Sequence, residues 1–306
     1  MTQTMRKLFK YLCCRVCVLY LAAFVFTVFF LDYKAARWHA QAGTLSRLQP
    51  PYNYLTKFSD GKAPFDRKQL QAYRLFFTQL LRMLPNRPDG YGMLGFCHYQ
   101  LGDTDKAITA YQKAAETVPS FLWFNYDLGF LYFQKKDYQQ AVDYLSRAVT
   151  SSPDAIFQFM VSSKVYLDAI ASVPNFQQEL PERLRTSLRD SYKMLVLSYF
   201  HLQQYDRLIV VAEMAVNQKL DDDGFFLYYL GVGAFYANQL DRAIVYLQES
   251  LRRNPDAQES YYYLALVLKA LNKEEMAVTA LQKAQALGKI KGASYSDLKG
   301  VKLRIF

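Results

Sequence analysis

The chain has 306 residues, 52% of them apolar, with 25 Tyr and 22 Phe against 13 Gly and 10 Pro. So many long side chains and so few chain breakers exclude a disordered or loop-rich polymer and favour helices. Of the net charge of +10, residues 1–40 supply +5 through Arg6, Lys7, Lys10, Arg15, Lys34 and Arg37 against Asp32; the remainder has no concentrated basic footprint, so no nucleic-acid partner is expected.

Residues 16–31 (VCVLYLAAFVFTVFFL) carry no charge and predict a membrane-crossing helix. Such a run rises about 24 Å against a hydrocarbon core of roughly 30 Å. Starting at Tyr11, with the Arg15 guanidinium reaching back to the headgroups, completes the crossing. Tyr33 and Trp38 suit the far interface. Basic residues are denser before the run than after it. That puts the N-terminus in the cytoplasm and residues 40–306 outside, in the periplasm for a bacterial source. A cleavable signal peptide competes with this reading, but the A-x-A site Ala40-Gln41-Ala42 lies too far past the apolar run for ordinary processing. The expectation is a single-pass signal anchor over 1–39, followed by a linker over 40–64 whose Pro50, Pro51, Gly61 and Pro64 are loop chemistry.

Cys13, Cys14 and Cys17 sit at the edge of that run and Cys97 stands alone, so no disulfide framework is expected. Cys14 and Cys17 spell C-x-x-C without a second pair for zinc or a redox-domain context. They read as small apolar residues at a membrane boundary, with a thiol function as the remote alternative.

Internal repetition dominates the rest. Residues 90–119 align with 124–153 at a constant offset of 34: Leu94-Gly95 with Leu128-Gly129, Ala107 with Ala141, Ala114 with Ala148, Pro119 with Pro153. Leu230, Ala243 and Leu247 return 34 residues later as Leu264, Ala277 and Leu281. Each unit predicts two antiparallel helices of about a dozen residues, reversing at 101–104 or 135–137 and stopped by Pro119, Pro153 or Pro255. Gly95 and Gly129 are expected to face Ala107 and Ala141 where the two backbones come close. One such pair cannot bury its own apolar face, so copies must stack.

This pattern resembles the tetratricopeptide repeat (TPR) family. Residues 88–121 supply Tyr91, Leu94, Gly95, Ala107, Tyr111, Ala114 and Pro119 at the family's signature positions, with His98 in a tyrosine slot. Residues 122–155 match as well, and 224–257 and 258–291 match in part. Residues 189–222 are degenerate, keeping Tyr192, Leu195, Tyr199, Ala212 and Ala215 but placing Val196 at the glycine and Leu208 at the first alanine. The resemblance implies an all-α solenoid of helical hairpins over 88–291, carried by the N-terminal transmembrane helix. Residues 156–188 form a distorted unit: a helix from about Ala155 to Ala171, a break at 172–176, and a second helix over 176–189. Residues 65–87 read as a capping helix, and 292–306 as the cap at the other end.

Catalytic chemistry is not legible. His39, His98 and His201 are far apart and lack Cys, Asp or Glu at metal-ligand spacing, and no nucleophile elbow, phosphate loop or zinc motif occurs. His98 reads as a packing residue, and His201, at a helix end, as a cation favoured by the dipole. The run Asp221-Asp222-Asp223 lacks the alternating ligands and closing Glu of a calcium loop and reads as helix capping. No enzyme activity, cofactor, metal or small-molecule substrate is expected.

The family resemblance instead implies a partner-binding groove lined by first-helix positions 2, 5, 9, 12 and 13. These are Phe96 and Tyr99; Trp123, Tyr126, Phe130 and Phe133; Lys193 and Phe200; Phe225, Tyr228, Phe235 and Tyr236; Tyr262 and Lys269. Only Lys193 resembles the cationic clamp that holds a peptide carboxylate in some members. An aromatic groove suits a helix or apolar peptide, in a non-catalytic membrane-tethered scaffold for a protein partner. Coverage of these rings by the chain's own helices is the competing reading. An accessory subunit of a membrane enzyme or export complex, docking partly through the transmembrane helix, is the alternative function.

Overall fold

A computed structural model of the chain describes residues 67–163, 167 and 176–287. The predicted membrane span, the linker at 40–64 and the segment 292–306 lie outside the described residues. Among the described residues no helix is long and apolar enough to cross a membrane. Every described element is a helix: α1 (Arg67–Met83), α2 (Pro88–Gln100), α3 (Thr104–Thr117), α4 (Leu122–Gln134), α5 (Tyr138–Val149), α6 (Pro153–Ser162), α7 (Phe176–His201), α8 (Tyr205–Asn217), α9 (Phe225–Tyr236), α10 (Leu240–Arg253), α11 (Gln258–Ala270) and α12 (Glu274–Ala286).

First and second helices of a pair differ in how they are covered. In α4 every residue from Leu122 to Gly129 is buried, because neighbouring helices lie on several sides. In α5 burial is confined to Ala141, Val142, Leu145 and Ala148, the single stripe of a helix with a wet outer face.

The turn inside each pair has one recurring form. Gly102, Lys136, Gln203, Asn238 and Asn272 all adopt left-handed φ. Each N–H bonds back three residues, and the next N–H bonds back five, as in Gly102 N to Tyr99 O at 2.9 Å and Asp103 N to His98 O at 2.8 Å. This double bond closes the helix end in the Schellman manner. Gly102 and Lys136 stand 34 residues apart, as do Asn238 and Asn272, while Gln203 comes one residue early.

Within a pair, the close approach differs from expectation by one helical turn. A Cβ on Gly95 would lie 2.6 Å from the Tyr111 ring, and one on Gly129 2.5 Å from the Leu145 side chain. The glycines therefore receive the residue four positions beyond Ala107 and Ala141, and those alanines are themselves fully buried.

The larger departure lies between α5 and α8. Residue 163 is already extended, so α6 ends well short of Ala171. Helix α7 runs unbroken from 176 to 201 with no turn near 189, because residues 182–201 contain neither Gly nor Pro. It packs along α5 and reaches α4, where the Trp123 indole N–H donates to Ser187 Oγ at 3.0 Å. The helix that comes after α5 in the stack is therefore α7.

Helix α6 is left beside the N-terminal ends of α2 and α4. Phe159 packs on Phe121 and Phe124 with ring centroids 4.5 and 5.7 Å apart, and the Ser163 hydroxyl donates to Asp89 at 2.7 Å. Asp89 also accepts from the Arg87 guanidinium at 3.0 and 2.6 Å and from Gly90 N at 2.9 Å. Burial pushes its carboxyl pKa up, but the Arg87 and Ser163 hydrogen bonds outweigh that and hold it below the ordinary 3.8.

This packing sets the outcome of two substitutions. Gly129→Ala gains about 1 kcal/mol of helix propensity but must displace Leu145, whose backbone nitrogen is also only 3.3 Å away. With overpacking worth about 1–3 kcal/mol, denaturant unfolding should show a net loss; an unchanged midpoint would remove the close approach as a constraint. Asp89→Asn should cost about 1–3 kcal/mol at neutral pH by leaving Arg87 without its anion. Because the folded carboxyl titrates below the unfolded one, its contribution is present above 3.8 and fades as pH falls through the folded value. The gap between wild type and variant should close in acid, as read from unfolding curves at two pH values.

Candidate partner-binding surface

The first-helix positions nearest the N-terminal ends are largely filled by the chain itself. Trp123 is fully buried and bonded to Ser187, and Tyr126, Tyr228 and Tyr262 are buried too, as is Phe96 further along α2. Their rings turn into the stack because the next helix lies over them. Tyr228 sits edge-on to Tyr229 and Tyr263 at 4.8 and 5.8 Å. Burial first, then its tyrosine neighbours and Glu259, push its hydroxyl pKa far up.

Lys193 is committed within the chain. Its Nζ lies 2.8 Å from Asp223 and 4.7 Å from the Phe225 ring centroid. It is the last of three cations on successive turns of α7. The first two, Arg185 and Arg189, reach Asp222 at 2.8 and 3.3 Å. Asp221 instead accepts from the N–H groups of Phe226 and Leu227 at 2.9 and 3.3 Å, capping α9. The acidic run is thus part cap and part clamp on α7. Among the described residues, no group of His, Cys, Asp and Glu is placed to hold a metal. Cys97 is fully buried, and burial pushes its thiol up to about 12, so it is no nucleophile.

The C-terminal ends of the first helices are open. There Tyr99, Phe130, Phe133, Phe200 and Phe235 are half-buried, while Tyr236 (46%) and Lys269 are exposed; Phe225, the first residue of α9, is half-buried at the opposite end. Most of the rings connect. Phe133 meets Tyr138 at 5.7 Å, and Tyr138 stacks on His201 at 4.2 Å with planes 5° apart. Phe200, beside His201, meets Tyr205 and Tyr236 at 6.3 Å each, and Tyr205 stacks on Tyr236 at 4.6 Å. Tyr236 leads on to Phe235 and Tyr263 at 5.3 and 6.4 Å. Tyr99 and Phe130 meet upstream of this row, 6.2 Å apart. The long row is continuous because α7 lies directly against α5, which brings His201 to Tyr138.

Three members of this row, and the buried Tyr263 at its end, are not among the sequence candidates. Tyr138 and Tyr205 open second helices, a place the first-helix rule does not count; an aromatic directly after the turn is the signal that marks them. His201 is not the helix-end cation its position suggests. Burial, and then Lys136, push its imidazole pKa down, and it serves as a stacked ring.

Models of the TPR repeat match residues 97–136, and models of the tetratricopeptide repeat match 124–155 and 228–289. The BBSome complex member BBS4 of Bos taurus is 28% identical over 208 residues, 67% of this chain. The chain spans only about 40% of that curated relative's length. Among solved structures, YrrB, a TPR protein with an unusual peptide-binding site, superposes with a TM-score of 0.50 at 19% identity, over 69% of this chain and 92% of its own. With repeat models on both sides of α7 and helical hairpins at the repeat spacing, residues 97–155 and 228–289 are tetratricopeptide repeats.

Proposed function

We propose that the chain is a non-catalytic protein-interaction scaffold that holds a helical or apolar peptide segment of its partner along the ring row from Phe133 to Tyr236. The observation that carries this reading is the unbroken series of partly exposed rings through Tyr138, His201, Phe200 and Tyr205. Rings on rigid helices bury a large area at small entropic cost, which is how partner surfaces concentrate affinity. Lys193, paired to Asp223, is not available to clamp a terminal carboxylate, so an apolar segment suits the surface better.

The peptide-binding site of YrrB and the membership of BBS4 in a complex support the same class of role. The uncharged run at 16–31 supports tethering of this scaffold to a membrane, with residues 40–306 on the far side from the N-terminus.

The test is a photo-crosslinking residue at Tyr236 in the full-length chain, in its native membrane. Gln248, exposed on α10, and buried Tyr228 serve as controls. A discrete protein adduct from 236 alone is expected. Tyr236→Ala should then lower partner recovery about tenfold, as for a central interface aromatic. Equal adducts from 236 and 248, or none from 236, would remove the ring row as the partner surface.

A further inference from the structure

We propose that the outer face of α1 lies on an anionic lipid surface. Helix α1 carries Arg67, Lys68, Arg74 and Arg82 and no acidic residue. Its inner face, led by Leu70, Tyr73 and Phe77, is buried in the stack. At 100° per residue the opposite arc has Leu75 at its centre, Arg82 and Lys68 on either side, and Arg67 and Met83 at its margins. Leu75 is 58% exposed and Met83 54%.

Elsewhere in the fold several cations meet carboxylates: Arg185 and Arg189 meet Asp222, Arg242 meets Glu213 and Lys135 meets Asp105. On α1 only Arg74 reaches one, Asp103 at 4.0 Å. Among the described residues, Arg67, Lys68 and Arg82 have no carboxylate partner. An exposed leucine set between unmatched cations is the pattern of a helix lying in the headgroup plane, cations on phosphates and leucine beneath them. The contact rests on the membrane-tether reading, since only residues 32–66 separate α1 from the run predicted to cross the bilayer. A tether of that kind raises the local lipid concentration enough for a few charges to hold the face down.

The full-length chain would be reconstituted into vesicles of phosphatidylcholine alone or with phosphatidylglycerol, with a benzophenone residue at Leu75 and, as control, at Gln248. A lipid adduct at 75 in the phosphatidylglycerol vesicles is expected, severalfold weaker in high salt and absent at 248. Each charge is worth on the order of fivefold, so Arg67→Glu/Lys68→Glu/Arg82→Glu should abolish it. The lipid and salt arms need no charge variant, so misfolding of that variant leaves the test intact. Equal adducts in both vesicle types, no lipid adduct, or an adduct to protein instead would overturn the proposal. A carbonate wash reads the tether separately. If it strips the chain, the tether reading fails. The α1 contact then stands only on salt-sensitive sedimentation of the chain with phosphatidylglycerol vesicles, and falls without it.

Discussion

How closely a first helix can approach its own second helix is the constraint on which the described fold depends. At Gly129 there is no room for a Cβ, because the Leu145 side chain occupies the place where one would stand. That contact lets Ala141 and Ala148 pack with no exposed surface and leaves only one stripe of α5 buried. The left-handed turn residue two beyond each first helix then fixes the reversal. Repeating both features at the same interval gives pairs of one shape, which stack. The pair α7–α8 lacks the glycine. Val196 stands in its place, fully buried, and this is the pair whose turn at Gln203 comes one residue early.

Stacking decides which aromatic residues can meet another molecule. A first helix is covered by its own second helix and by both neighbours, so most rings in its first turns become core, as Trp123, Tyr126, Tyr228 and Tyr262 do. Its last turn runs out toward the reversal, where less lies over it. Tyr228 and Tyr236 sit on the same helix, yet one is buried and the other about half exposed. The turn edge of the stack is therefore the side on which rings stay open to a partner. The departure of α6 matters for the same reason. With Phe159 and Ser163 docked at the starts of α2 and α4, α7 takes the neighbouring place to α5, and the ring row crosses the interval without a gap.

Much of this is legible in the sequence, and the rest is hidden for a physical reason. The period of 34, the small residues and the proline stops all act within one unit, so they are visible in one unit. Which ring is covered depends on a neighbour many residues away: Trp123 is sealed by Ser187, and Lys193 is paired to Asp223. Helical periodicity gives α7 a continuous pattern but does not reveal that it displaces α6 from the stack. That outcome rests on tertiary bonds such as Ser163 to Asp89. Asp221 is readable as a cap because capping is local, whereas the roles of Asp222 and Asp223 on α7 are not.

Direct adjacency of α5 and α7 underlies both the shape of the stack and the ring row, and it rests most visibly on Tyr138 and His201. A double-mutant cycle of Tyr138→Ala and His201→Ala, read by denaturant unfolding above the imidazole pKa, measures their coupling without reference to any partner. Stacked rings should be coupled by about 0.5–1.5 kcal/mol. Additive single-mutant effects, within about 0.3 kcal/mol, would contradict the adjacency and with it the continuous row.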